Sequence, residues 1–200
     1  MMRTRTPFIA RPLRRGFSLI ELVIVLVIMG VVAAMTIPRL NLSSNRVEAI
    51  AQQVRSVFQT SQRTSLTRQF DVIISFDTVH SELRIGEDKD LSGTIDATEI
   101  RIWRPTGQNE GNIFAIPPKR LDGTPGTSAI VGSSLKTVDT YPSITFHRDG
   151  SASSDAEIYM SNSSRGDVQY RLVTLTRSTG RTDMYRYSGT GSTGTWQLVR

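Results

Sequence analysis

The stretch RRGFSLIELVIVLVIMGVVAAMTIP, residues 14–38, joins a basic approach, a long apolar run and a closing proline. From Phe17 to Ile37 it holds 21 residues with Glu21 as the only charge. As a helix rising about 1.5 Å per residue, it would be roughly 30 Å long, the thickness of a bilayer hydrocarbon core. Arginines precede the run and none interrupts it, so the positive-inside rule puts the N-terminus in the cytoplasm and everything after Pro38 across the membrane. Glu21 is the anomaly. A carboxylate near a membrane helix centre costs about 2.5–3.5 kcal/mol on insertion scales, and an ionisable group held there calls for a function.

A cleavable secretory signal has a shorter apolar core followed by a small-residue cleavage site. VVAAMTIP offers small residues, but the run is long and Glu21 is out of place. A plain signal anchor explains the length and leaves the glutamate unexplained. The third reading covers every feature. The glycine, the aromatic residue, the SLIEL core, the apolar run and Pro38 resemble the class III prepilin signal of type IV pilins and type II secretion pseudopilins. That resemblance implies cleavage by a prepilin peptidase between Gly16 and Phe17, then N-methylation of Phe17. It also implies that Glu21 pairs with the N-terminal amine of a neighbouring subunit once a filament forms.

The charge distribution fits this division. The 200-residue chain carries +6, and Arg3, Arg5, Arg11, Arg14 and Arg15 of the leader account for five of those charges. Residues 81–99 hold six acids against two bases, whereas residues 161–200 hold six arginines against two aspartates. With no cysteine, the chain has neither disulfides nor thiolate metal ligands.

After Pro38, Ser44 or Asn45 offers an N-cap. Val47, Ile50, Ala51, Val54, Val57, Phe58, Ser61 and Ser65 then recur at three- and four-residue spacing, which predicts an amphipathic helix with one buried face. FDVIISF alternates as a strand with Phe70, Val72, Ile74 and Phe76 on one face, and ELRI with EIRIW reads as a hairpin. NIFAIP, SITFHRDG, AEIYM, VQYRLVTLT, DMYRY and TWQLVR predict further short strands. The expected fold is α+β: a long N-terminal helix, transmembrane and then amphipathic, packed on an antiparallel sheet or sandwich in the manner of type IV pilins. The boundaries are a leader at 1–16, a membrane helix at 17–40, an amphipathic helix at 41–69 and a β-rich domain at 70–200.

ITFHRDGSAS from Ile144 and RLVTLTRSTGR ending at Arg181 resemble the late strand and closing hairpin of the GspH/FimT family of minor pseudopilins and minor pilins. DKDLSGTIDATE, residues 88–99, follows a calcium-loop template. Asp88, Asp90, Ser92 and Asp96 supply oxygens, Gly93 the sharp turn, Ile95 the apolar plug and Glu99 a terminal bidentate carboxylate. Its flanks read as strands, which argues against an EF-hand domain, and an acidic, solvated hairpin loop remains the alternative. Arg171, Arg177, Arg181 and Arg186 alternate with Tyr170, Tyr185, Tyr187 and Trp196, a pattern that could grip phosphates and stack bases or simply keep a sheet soluble. GTGSTG, residues 189–194, matches the dinucleotide fingerprint in letters but lacks the helix that must follow. His80 and His147 sit in no catalytic spacing.

The sequence therefore reads as a minor pseudopilin of a type II secretion system and not an enzyme. The alternative is a type IV minor pilin that primes a pilus or captures DNA. The resemblance implies an inner-membrane precursor with a periplasmic C-terminal domain, later extracted into a pseudopilus or pilus. Its partners would be the prepilin peptidase, other pilin-like subunits and an inner-membrane assembly platform, with nucleic acid as a secondary candidate. No cofactor is required, and calcium is the candidate ion.

Overall fold

The computed structural model describes residues 17–36, 42–96, 98–105, 113–162 and 169–199. It divides into two compact units, residues 1–41 and 42–200. In the first unit, α1 (Leu19–Thr36) is an 18-residue helix with apolar side chains on every side. All side chains described for it are exposed. Its length is about 27 Å. Among the described residues, no helix is long and apolar enough to cross a membrane. Residues 37–41, where the expected span would end and the proline lies, fall outside the described residues, as does Gly16.

The second unit is α+β. α2 (Leu42–Arg68) starts before the expected Ser44 or Asn45 cap. It ends where Gln69 turns left-handed at φ +58° and its N–H closes on the Ser65 carbonyl. Every member of the anticipated stripe is buried except Val57, which packs at the core edge. Ser61 and Ser65 belong to that stripe because small side chains let the helix approach the strands closely.

Among the described residues, ten strands follow in two five-stranded antiparallel sheets. The first sheet has β1 (Asp71–Asp77), β2 (Glu82–Asp88), β3 (Ile100–Trp103), β5 (Lys136–Val138) and β6 (Tyr141–Phe146), in the order β3-β2-β1-β6-β5. The second has β4 (Ile130–Gly132), β7 (Ala156–Asn162), β8 (Gln169–Leu175), β9 (Thr182–Ser188) and β10 (Thr195–Val199), in the order β10-β9-β8-β7-β4. α2 packs on β7, β8 and β9 of one sheet and on β1 and β6 of the other, so one apolar face closes both. Phe58 of α2 is the hub: its ring lies 6.1 Å from Phe76 of β1, edge-on, and 6.2 Å from Phe146 of β6. Burying one such ring contributes on the order of 1.5–3 kcal/mol.

One strand reading changes, and another gains a second buried face. Ile113 and Phe114 of NIFAIP form only an isolated bridge, Phe114 to Met160, instead of a strand. β1 is also buried on both faces: Val72, Ile74 and Phe76 face the main core, while Ile73 joins Ile95 and Val138 in a second, smaller cluster.

Candidate functional site

In the N-terminal unit, Glu21 stands in the first turn of α1, where its N–H and that of Leu22 reach the Ser18 carbonyl at 3.0 and 3.2 Å. A carboxylate there complements the positive end of the helix dipole. Its neighbours Leu19, Ile20, Leu22 and Val23 are apolar and exposed, and Phe17 is 82% exposed. No described residue forms an ion pair with Glu21.

The β2–β3 hairpin presents the acidic loop. Asp88 is 3% exposed at the end of β2. One of its carboxylate oxygens accepts the Ser92 N–H at 2.8 Å, and the other accepts the Gly93 N–H at 2.9 Å. Gly93 has φ +74°, a conformation side chains resist, and this lets the loop curl back over Asp88. The Ser92 N–H also reaches Asp90 at 3.1 Å and holds that carboxyl below its ordinary range. Ile95 is buried against Ile73 and Val138, so the plug position does seat the loop on the sheet. Asp88, Asp90 and Glu99 bring one carboxylate oxygen each within 4.8 Å of one another. Glu99 Oε1 takes the Lys89 N–H at 3.2 Å, while Oε2 is buried without a hydrogen-bond partner. Hard oxygens gathered around an unsatisfied carboxylate suit a calcium-sized cation. Asp96 is exposed and stands outside this trio of carboxylates, while Ser92 is exposed with its Oγ 3.0 Å from the Thr94 hydroxyl.

The four arginines proposed for nucleic acid separate. Arg171 is fully buried, and its Nε donates to Glu48 Oε2 on α2. Arg186 reaches the same oxygen at 3.4 Å. This corrects the surface reading for Arg171, which is withdrawn from any phosphate. The interleaved aromatics lie on the other face. Strand alternation and the register Arg171 opposite Arg186 direct both arginines toward α2 and send Tyr170, Tyr185 and Tyr187 to the far side. There Tyr170, Tyr187, Trp196 and Tyr159 form a chain of ring contacts, with centroids 6.1, 4.9 and 5.5 Å apart. A loop straps over them, since Trp196 Nε1 donates to the Lys119 carbonyl and the Leu121 N–H to the Tyr159 oxygen. Arg177 and Arg181 are exposed at the β8–β9 turn, where Arg181 pairs with Asp183 at 2.9 Å.

Two residues that sequence reasoning missed organise this unit. Glu48 is the lone acid on α2 beside four arginines, and that isolation was the available signal. Gln62 Nε2 donates to the carbonyls of Gly150 and Thr179, at 2.7 and 2.8 Å. It thereby ties together the two turns that carry HRDG and STGR, the stretches that set the chain's second resemblance. Gly180, at φ +61°, has no room for a Cβ, which would meet Gln62 Nε2 at 2.3 Å. The histidines cap the two ends of β1. His80 Nδ1 is 2.8 Å from Asp77 Oδ2 and His147 Nδ1 is 2.9 Å from Asp71 Oδ2, while the nearby Ser151 hydroxyl donates to Asp149. GTGSTG forms the β9–β10 connection with a single 3-10 turn, Gly191–Thr193, and no long helix follows it.

Comparison with known proteins bears on the N-terminal unit. No curated protein and no solved structure matches the chain. Residues 11–37 match the family model for the prokaryotic N-terminal methylation motif. The chain thus carries the class III signal of a type IV pilin-like precursor, a signal that implies processing by a prepilin peptidase and assembly into pilin filaments.

Proposed function

We propose that this protein is a minor pseudopilin, a structural subunit of the short periplasmic filament that drives export in a type II secretion system. The observation that carries the reading is the methylation motif at residues 11–37 with Glu21 five residues past Gly16. The precursor is cleaved between Gly16 and Phe17, and the new amine of Phe17 is methylated. Before assembly, α1 and its flanking residues anchor the chain in the inner membrane, with the C-terminal unit in the periplasm. Support for insertion comes from the apolar side chains that surround α1, which leave it no polar face to turn to water. In the filament, the Glu21 carboxylate meets the terminal amine of a neighbour and loses its cost in lipid. The protein performs no bond chemistry.

A type IV minor pilin would carry the same signal. Its DNA-capturing version is weakened by Glu48, which takes up Arg171 and Arg186. A second reading concerns the acidic loop. The orphaned Glu99 Oε2 favours a calcium ion held by Asp88, Asp90 and Glu99.

Intact-mass spectrometry of the protein extracted from membranes tests the central proposal. The expected chain starts at N-methylated Phe17. A chain starting at Met1, or one cut near Thr36, overturns it.

A further inference from the structure

The C-terminal strand β10 ends the second sheet and pairs with β9 alone, from Thr195 opposite Ser188 to Val199 opposite Met184. Among the described residues, no backbone hydrogen bond reaches it from the other side. Edges of this kind are normally kept short or guarded by charge, because a row of open N–H and C=O groups invites another strand. The remaining edges follow that rule: β4 and β5 have three residues each, and β3 carries Arg101. β10 does not. Its five residues, TWQLV, include no charge, and Leu198 is 47% exposed.

The order of these five residues identifies what would fit. Laid antiparallel on a second copy about Gln197, the strand sets Thr195 opposite Val199, Trp196 opposite Leu198, and Gln197 opposite itself. Each pairing is favourable: β-branched against β-branched, aromatic against aliphatic, amide against amide. Trp196 and Leu198 share the face that carries the tyrosine and tryptophan rings, so the contact would cover Leu198 and lengthen that apolar layer. Like charges oppose each other nowhere along the strand.

We infer that β10 is a self-pairing edge, through which two copies of this chain join their second sheets into one continuous antiparallel sheet. The contact is isologous and closes at two subunits, so it is distinct from the open-ended contacts of a filament. It rests on β10 alone and not on the pilin reading.

The absence of cysteine makes a direct test clean. Antiparallel partners opposite each other have Cα atoms about 4.5–5.5 Å apart, within the reach of a disulfide. Gln197→Cys in the full-length chain, oxidised in membranes and run on a non-reducing gel, is expected to convert most of the protein to dimer. Thr195→Cys lies about 14 Å from its own copy in this register, at roughly 3.4 Å per residue, and is expected to stay monomeric. Adding Leu198→Lys to Gln197→Cys sets a charge against Trp196 and should cut the dimer at least tenfold, with an unchanged melting temperature showing that the fold survives. Equal cross-linking by the two single variants, or a dimer that survives Leu198→Lys, overturns the inference.

Discussion

Each of the two α-helices among the described residues carries one carboxylate, and the two stand in opposite surroundings. Glu48 of α2 finds Arg171 and Arg186 in its own chain, and with them it fixes the helix to the second sheet. Glu21 of α1 has apolar neighbours and no ion pair among the described residues. A lone acid in an otherwise acid-free helix is conspicuous in both cases. Under the proposed function, the place of the partner decides whether the acid serves folding or assembly.

The largest effect separates them outright. Glu21→Ala is expected to leave the precursor inserted and the C-terminal unit at its normal melting temperature, while incorporation into filaments and support of secretion are lost. Complementation of a deletion strain reads this, and normal incorporation would remove the assembly role. Glu48→Ala should do the reverse. It takes the carboxylate from the buried Arg171 guanidinium, whose Nη1 still donates to the Tyr170 carbonyl, and breaking a buried ion pair costs about 3–5 kcal/mol. Denaturant unfolding should register that loss, and a change below about 1 kcal/mol would mean that the Glu48 pair does not hold α2 to the second sheet. Glu48→Gln, which retains an acceptor oxygen, should recover part of the loss.

The acidic loop offers a smaller test, since the Glu99 Oε2 oxygen is buried with no hydrogen-bond partner among the described residues. At about 100 times its dissociation constant, calcium should stabilise the protein by roughly 2.7 kcal/mol. Chelator should reverse the shift, magnesium should replace calcium poorly, and Glu99→Gln should remove the response. Identical melting curves in millimolar calcium and in chelator would leave Glu99 as a residue of a solvated turn.

The sequence was informative wherever one residue type had one physical job. The stripe from Val47 to Ser65 marked the buried face of α2 because burial follows the helical period, and the loop template found Asp88, Gly93 and Ile95 because a sharp turn over a buried acid restricts the choices. It misled where order along the chain differs from arrangement in space. Arginine and tyrosine alternate in β8 and β9, and alternation in a strand places neighbours on opposite faces, so the apparent basic-aromatic surface came apart. Arg171 looked like surface because its counter-charge, Glu48, lies 123 residues away. β4 and β5, at three residues each, were too short to show a period. Gln62 gave no signal at all, since its two acceptors are backbone carbonyls.

The connectivity of the two sheets also bears on how the chain reaches this state. From β8 to β10 each strand pairs with the one before it, so these contacts are local. In the first sheet β6 returns to β1, and Val72 pairs with Phe146, 74 positions further along the chain. Local pairings form faster than those that must first close a long loop. The second sheet is therefore expected to gain amide protection first in pulse-labelled hydrogen exchange, and the β1–β6 seam last. Until that seam closes, Phe76 and Phe146 lack their full packing against Phe58, so α2 is the last element to be held from both sides.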